Sequence, residues 1–199
     1  MYKDHAILIQ ELKSYASPKA RITRLIKSGR VIQVRRGLFL ESGDRDYSLK
    51  SLASIVYGPS YVSFEYALSH YGLIPERVNV VTSAVYNKNK NRRFHTPVGD
   101  FYYYYLPIRV YPYCITREAE RGQSFLIASP EKALLDTLYK VRGKITIKTL
   151  PRLLWDDLRL DPDGIKNLDR ESIAFLAPKY GRRINKVFLH WYDREVVNA

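Results

Sequence analysis

The sequence predicts an α+β chain. A small winged helix-turn-helix head spans residues 1–46, and a larger mixed body, strands first and then helices, spans residues 47–199. Three observations carry this reading. The stretch Ser17 to Leu40 has a helix pattern followed at once by a hairpin pattern. Runs rich in β-branched and aromatic residues follow at Val78 to Val85, Phe101 to Leu106 and Phe125 to Ala128. From Thr149 onward the apolar spacing is helical.

The elements follow in order. MYKDHAILIQELKSY reads as an amphipathic helix with Ile7, Leu8, Leu12 and Tyr15 on one side. Ser17 is placed to cap a second helix, Pro18 suits its first position and Gly29 suits its end. At 100° per residue, Ile22, Leu25 and Ile26 share the face expected to be buried. Ala20, Thr23, Arg24 and Lys27 point away from it, with Arg21 and Ser28 on the flank. Val31 to Val34 and Leu38 to Leu40 read as two strands joined at Arg35-Arg36-Gly37. A standard trihelical head has two helices before the recognition helix. Here so little chain precedes Ser17 that the head is trimmed, or its first two helices are fused. Ser42 to Asp46 reads as a polar linker. Its Asp44-Arg45-Asp46 is similar to a nucleotidyltransferase carboxylate pair, but it adjoins the Ser-Gly step with no intervening gap, so a loop is expected.

In the body, Leu49 to Tyr57 reads as a short helix ended by Gly58-Pro59. Ser63 is placed to cap a helix carrying Phe64, Ala67, Leu68 and Tyr71, closed by Gly72. Asn87 to Arg93 reads as a basic loop, and Phe101 to Leu106 as a strand covered on both sides. Ser129-Pro130-Glu131 opens a helix whose apolar side is Leu134, Leu135, Leu138 and Tyr139, with Gly143 as its stop. Lys132 and Asp136 are expected as an i, i+4 pair on its surface. Asp161 to Gly164 reads as a turn, followed by helices near Arg170 to Ala177 and Arg182 to Asp193.

Charge points to the partner. The formal net charge is +13, and a hydrophobic content of 46% is enough for a packed core. Such a field attracts polyanions. Between Lys19 and Arg36 lie seven basic residues and no acidic one. Arg21, Thr23 and Arg24 are the candidates for base contacts, because Arg bonds guanine in bidentate fashion and Thr can touch a thymine methyl. Lys19, Lys27, Arg30, Arg35 and Arg36 are the candidates for phosphates and the wing. Lys88, Lys90, Arg92 and Arg93 are a candidate second phosphate contact.

Other chemistry has less support. The one cysteine, Cys114, rules out an internal disulfide and reads as a small buried hydrophobe. The four histidines lack metal-ligand spacing, so no metal or cofactor is expected. No run is long and apolar enough for a bilayer, and the N-terminus lacks a signal-peptide core, so a cytoplasmic protein with no membrane partner is expected.

Several motifs line up in order. In the head they are Tyr15-Ala16-Ser17-Pro18-Lys19, Ile22, Leu25, Gly29 and Arg36-Gly37-Leu38-Phe39. In the body they are Tyr61-Val62-Ser63 through Ala67-Leu68, Tyr71-Gly72-Leu73-Ile74-Pro75, Val81-Thr82, Phe94 with Pro97-Val98-Gly99, and Ile127 through Asp136. Together they resemble AbiEi-type antitoxins of bacterial type IV toxin–antitoxin systems. The resemblance covers most of the chain. It implies a winged-helix head that binds inverted repeats in double-stranded promoter DNA and represses its own operon. It implies a body that counters a nucleotidyltransferase-like toxin, with or without a stable complex. It implies no catalytic residues, hence a protein that is not an enzyme.

Two other functions fit parts of the chain. A nuclease with a winged-helix head would need converging carboxylates, and the only Glu-x-Lys, Glu11-Leu12-Lys13, lies in the first helix. An RNA- or toxin-binding module without a promoter role would use the seventeen tyrosines and the basic loop.

Overall fold

The computed structural model describes residues 2–43 and 47–197; Asp44, Arg45 and Asp46 of the expected linker lie outside them. The chain is mixed α+β, built on a three-stranded and a six-stranded sheet.

The first helix, α1 (His5–Glu11), is capped by the Asp4 side chain, which accepts from the Ile7 amide at 2.8 Å. Just before it, β1 (Lys3–Asp4) pairs with a strand of the later hairpin. Leu8 is buried and Ile9 and Leu12 pack beside it, whereas Ile7 and Tyr15 are exposed. The expected apolar side is thus rotated, because the helix ends at Glu11 and does not carry the stripe on to Tyr15.

The second helix, α2 (Pro18–Lys27), starts at Pro18 as expected, but the Ser17 side chain makes no capping bond. It ends in a Schellman turn: Gly29 takes a left-handed φ of 69°, its N–H donates to the Ile26 carbonyl, and the Arg30 N–H donates to the Leu25 carbonyl. β2 (Val31–Arg35) and β3 (Leu38–Glu41) form the hairpin, with a bulge between Gln33 and Arg35. Leu38, Phe39 and Leu40 are all buried, so β3 is covered on both faces. Val31 and Phe39 close a small core with Leu8 and Ile22. Val34, Leu38 and Leu40 join the main core with Leu52 and Val56.

The main sheet has the order β6-β7-β5-β4-β9-β8. Its strands are β4 (Ser60–Val62), β5 (Val81–Val85), β6 (Arg92–Thr96), β7 (Gly99–Tyr105), β8 (Ile115–Glu120) and β9 (Gln123–Ala128). β5–β7 and β4–β9 pair in parallel, and the other neighbours are antiparallel. Helices interrupt the strands, which is where the order differs from strands first and then helices: α3 (Leu49–Val56) precedes β4, and α4 (Phe64–His70) follows it. β7 shows Phe101 and Tyr103 fully buried on one face and Tyr102 and Tyr104 partly covered on the other, while Tyr105 at its end is exposed, so only the middle of one face is completely covered.

After the sheet come α5 (Pro130–Lys140), α6 (Leu150–Arg152) running into a π-turn at Leu153–Asp157, α7 (Pro162–Lys166), α8 (Arg170–Leu176) and α9 (Arg183–Tyr192). Ser129 caps α5 by accepting from the Lys132 amide. α5 ends at Lys140, three residues before the expected stop at Gly143. The Asp161-Pro162-Asp163-Gly164 segment is a helix start, not a free turn, because the Asp161 carboxylate accepts from the Gly164 amide at 2.7 Å.

Every residue from Glu131 to Leu138 in α5 is buried, which reverses the surface placement expected for Lys132 and Asp136. Asp136 accepts from Tyr61 Oη at 3.1 Å, from Ser63 Oγ at 2.6 Å and from Tyr180 Oη. Ser63 therefore spends its hydroxyl on Asp136 and makes no cap for α4. Lys132 Nζ donates to the Val110 carbonyl at 2.7 Å. An i, i+4 ionic pair reads the same on a surface or in a core; here three hydroxyls from other elements satisfy the carboxylate.

Candidate nucleic-acid interface

α2 presents its cations to solvent because Ile22, Leu25 and Ile26 take the opposite side into the small core. Lys19, Ala20, Thr23, Arg24 and Lys27 are exposed. Thr23 Oγ1 donates to the Lys19 carbonyl at 3.2 Å, so its hydroxyl proton is engaged by its own helix. Arg21 differs from the other cations. It is partly buried, its guanidinium lies 4.9 Å from the Tyr15 ring centroid, and its Nε is buried without a hydrogen-bond partner among the described residues. Its placement favours a fixed cation over a mobile base reader.

Arg30, Arg35 and Arg36 are exposed at the two ends of β2. Arg35 reaches the body: its guanidinium donates to the Ile55 carbonyl near the end of α3, at 3.4 Å. Gly37 takes φ 82°, a conformation that turns the chain at the hairpin tip. β3 is covered on both faces, and Arg36 is exposed at the tip with no ion pair among the described residues.

Lys88 and Lys90 are exposed in the loop after β5, but Arg92 and Arg93 are not loop residues. They belong to edge strand β6, where they pair opposite Tyr103 and Tyr102. Arg93 lies 4.8 Å from the Tyr102 ring centroid. Their exposed edge position preserves the charge in a more rigid setting.

The two basic segments both touch the end of α3. Lys88 Nζ lies 5.7 Å from the centroid of Tyr57, two residues beyond the Ile55 carbonyl that holds Arg35. Tyr57 in turn stands edge-on to Tyr103 at 5.3 Å. The end of α3 thus contacts the hairpin through Ile55 and the β5–β6 loop through Tyr57. Sequence reasoning missed Ile55 and Tyr57, since neither carries charge and both contacts are tertiary.

Elsewhere, Glu11 of the Glu-x-Lys is ion-paired to Lys3 at 2.8 Å, and Lys3 also holds Glu41 at 2.6 Å. Hydrogen bonds that the ammonium donates to both carboxylates raise the Lys3 amine above its ordinary value. Cys114 is partly buried, and burial pushes its thiol up, away from the reactive thiolate. Among the described residues no group of three or more His, Cys, Asp and Glu is placed to hold a metal ion, and no helix is long and apolar enough to cross a membrane. No protein-family model matches the chain, and no curated protein matches it significantly.

Proposed function

We propose that the chain binds duplex DNA as a repressor of its own promoter and acts as an antitoxin of the AbiEi type. In this reading α2 is the recognition helix and β2–β3 the wing of a winged helix-turn-helix with a single helix, α1, in front. Thr23 and Arg24 contact base edges. Lys19, Lys27, Arg30 and Arg36 hold phosphates, and Arg21 adds a fixed charge at the flank. Arg35 fixes the hairpin to the body. Lys88, Lys90, Arg92 and Arg93 extend the phosphate track.

The observation that carries this reading is that Arg35 and Lys88 both contact the end of α3, at Ile55 and at Tyr57. It joins the acid-free cations of the head to those of the body, as a duplex backbone longer than one helix requires. The experiment is a salt-series titration against the DNA upstream of the gene, with scrambled duplex as control. Tighter binding upstream, with log affinity falling by about 0.9 per neutralised phosphate as log salt rises, is the expected result. Equal binding to both duplexes would remove sequence reading.

The antitoxin half rests on the order of the body motifs. The toxin would be a nucleotidyltransferase-like protein encoded next door, and both would act in the cytoplasm. Co-expression should restore growth of cells making that toxin. Continued arrest would leave only the DNA-binding half.

A further inference from the structure

The body carries a second basic surface that the duplex reading does not use. A cavity of about 370 Å³ opens where the end of β7, the end of α5 and the start of α9 converge. Tyr104, Tyr105, Tyr139, Lys140, Arg142 and Arg182 line it. A second hollow shares Arg142 and Arg182 and adds Lys144 and Arg183, so the two adjoin. Among the described residues no acidic one lines either.

The lining is ordered in a way that suits a particular ligand. Lys140 is already engaged, since both oxygens of Glu65 accept from its ammonium, at 2.7 and 2.9 Å, and it stands 4.1 Å from the Tyr104 centroid. Arg182 makes no ion pair among the described residues. Its guanidinium donates to the Val141 carbonyl at 2.9 Å and lies 5.6 Å from the Tyr139 centroid. That leaves most of its five N–H donors for a ligand. Arg142 is exposed and makes no ion pair among the described residues. Tyr105 is 42% exposed and has no ring contact among them. Two arginines without acid partners call for a phosphate, and an open tyrosine ring offers a face to a base. The volume is at the lower end of small-ligand sites.

We propose that this cleft takes an unpaired nucleotide, its base on Tyr105 and its phosphate between Arg142 and Arg182. The nucleotide is either free or part of a single strand of RNA, and the test separates the two. The site is distinct from the head and stands whether or not the head reads a promoter.

The test uses the full chain, with a fluorescent oligouridylate and with AMP as probes, in the presence of excess duplex DNA. Arg142→Glu with Arg182→Glu should weaken binding at least about tenfold, as expected when two charge-assisted contacts are lost. Tyr105→Ala should weaken it by roughly 5- to 100-fold, the range for one stacked base. Tyr105→Phe keeps the ring and should bind as the native chain does, which separates stacking from damage to the fold. Duplex binding should be unchanged in all three. AMP binding lost in the Arg and Ala variants assigns the cleft to a free nucleotide. Oligouridylate binding lost in them, with AMP unbound throughout, assigns it to a strand. The proposal is overturned if neither probe binds, if the variants bind like the native chain, or if duplex DNA abolishes the oligouridylate signal.

Discussion

Lys132 Nζ lies 3.6 Å from Asp136 Oδ1, one turn apart in α5, with both side chains fully buried. The ammonium also stands 5.2 Å from the Tyr61 centroid and 5.8 Å from the Tyr180 centroid. Burial lowers the Lys132 amine below its ordinary value, while Asp136 pulls it the other way. The pair thus joins α5 to β4 and to the turn after α8 through charge and hydroxyls, not through apolar packing alone.

Breaking that pair from one side should be costly. Asp136→Ala leaves Lys132 without its counter-charge and should lower stability by about 3–5 kcal/mol in urea unfolding. Asp136→Ala combined with Lys132→Met removes both charges and should lose less than the sum of the single losses. Strictly additive losses would show that the two side chains do not act as a unit.

The tyrosines set an alkaline limit. Burial pushes Tyr71 and Tyr111 up to about 12, and it pushes Tyr61, Tyr103 and Tyr180 upward as well. An unfolded tyrosine ionises near pH 10, so above that pH the unfolded chain binds fewer protons than the folded one. Stability should therefore be fully present below about pH 10 and fall between about pH 10 and 12. Urea midpoints measured across that range check the sign. A midpoint that holds steady or rises would contradict it.

Much of this fold was legible in local pattern, and the gaps have physical causes. α2 and α5 begin where Pro18 and Ser129-Pro130 set their starts, and α3 begins at Leu49 as its pattern predicts, behind a Ser48 cap that the pattern does not mark. β8 was missed because Ile115-Thr116-Arg117-Glu118-Ala119-Glu120 is an edge strand rich in charge. The basic face of α2 was visible from helical spacing alone. The tyrosine-lined cleft was not, because Tyr105, Arg142 and Arg182 are far apart in sequence and only the fold brings them together. For the same reason, no spacing rule could tell that Lys132 and Asp136 face inward: Tyr61, Ser63 and Tyr180 come from separate elements.

Gly58 should be intolerant of a side chain. A Cβ there would collide with the backbone carbonyl oxygen of Ser54 in α3, which cannot swing aside as a side chain could. Gly58→Ala should cost about 1–3 kcal/mol or more. Gly43→Ala, where no described residue beyond its chain neighbours lies within 4 Å of the new Cβ, is the control and should stay within about 0.5 kcal/mol of the native chain. Equal effects at the two sites would mean that the Ser54 contact does not govern the loss.

The roles assigned along the head can be separated by comparing operator with random duplex. Arg24 is exposed on the outer face of α2, free to reach a base edge. Arg24→Ala should cost about 1–3 kcal/mol on the operator and much less on random DNA. Lys27 is exposed beside it in the last turn and is assigned to phosphate, so Lys27→Ala should weaken both duplexes alike and reduce the salt slope by about 1. Arg21 is held on the Tyr15 ring with Nε buried, and Arg21→Ala should follow the Lys27 pattern in spite of its guanidinium. An operator-selective loss at Arg21 would mean that the Tyr15 stack opens on binding. An equal loss on both duplexes at Arg24 would move base reading away from that residue and leave Thr23 as the remaining candidate on this face.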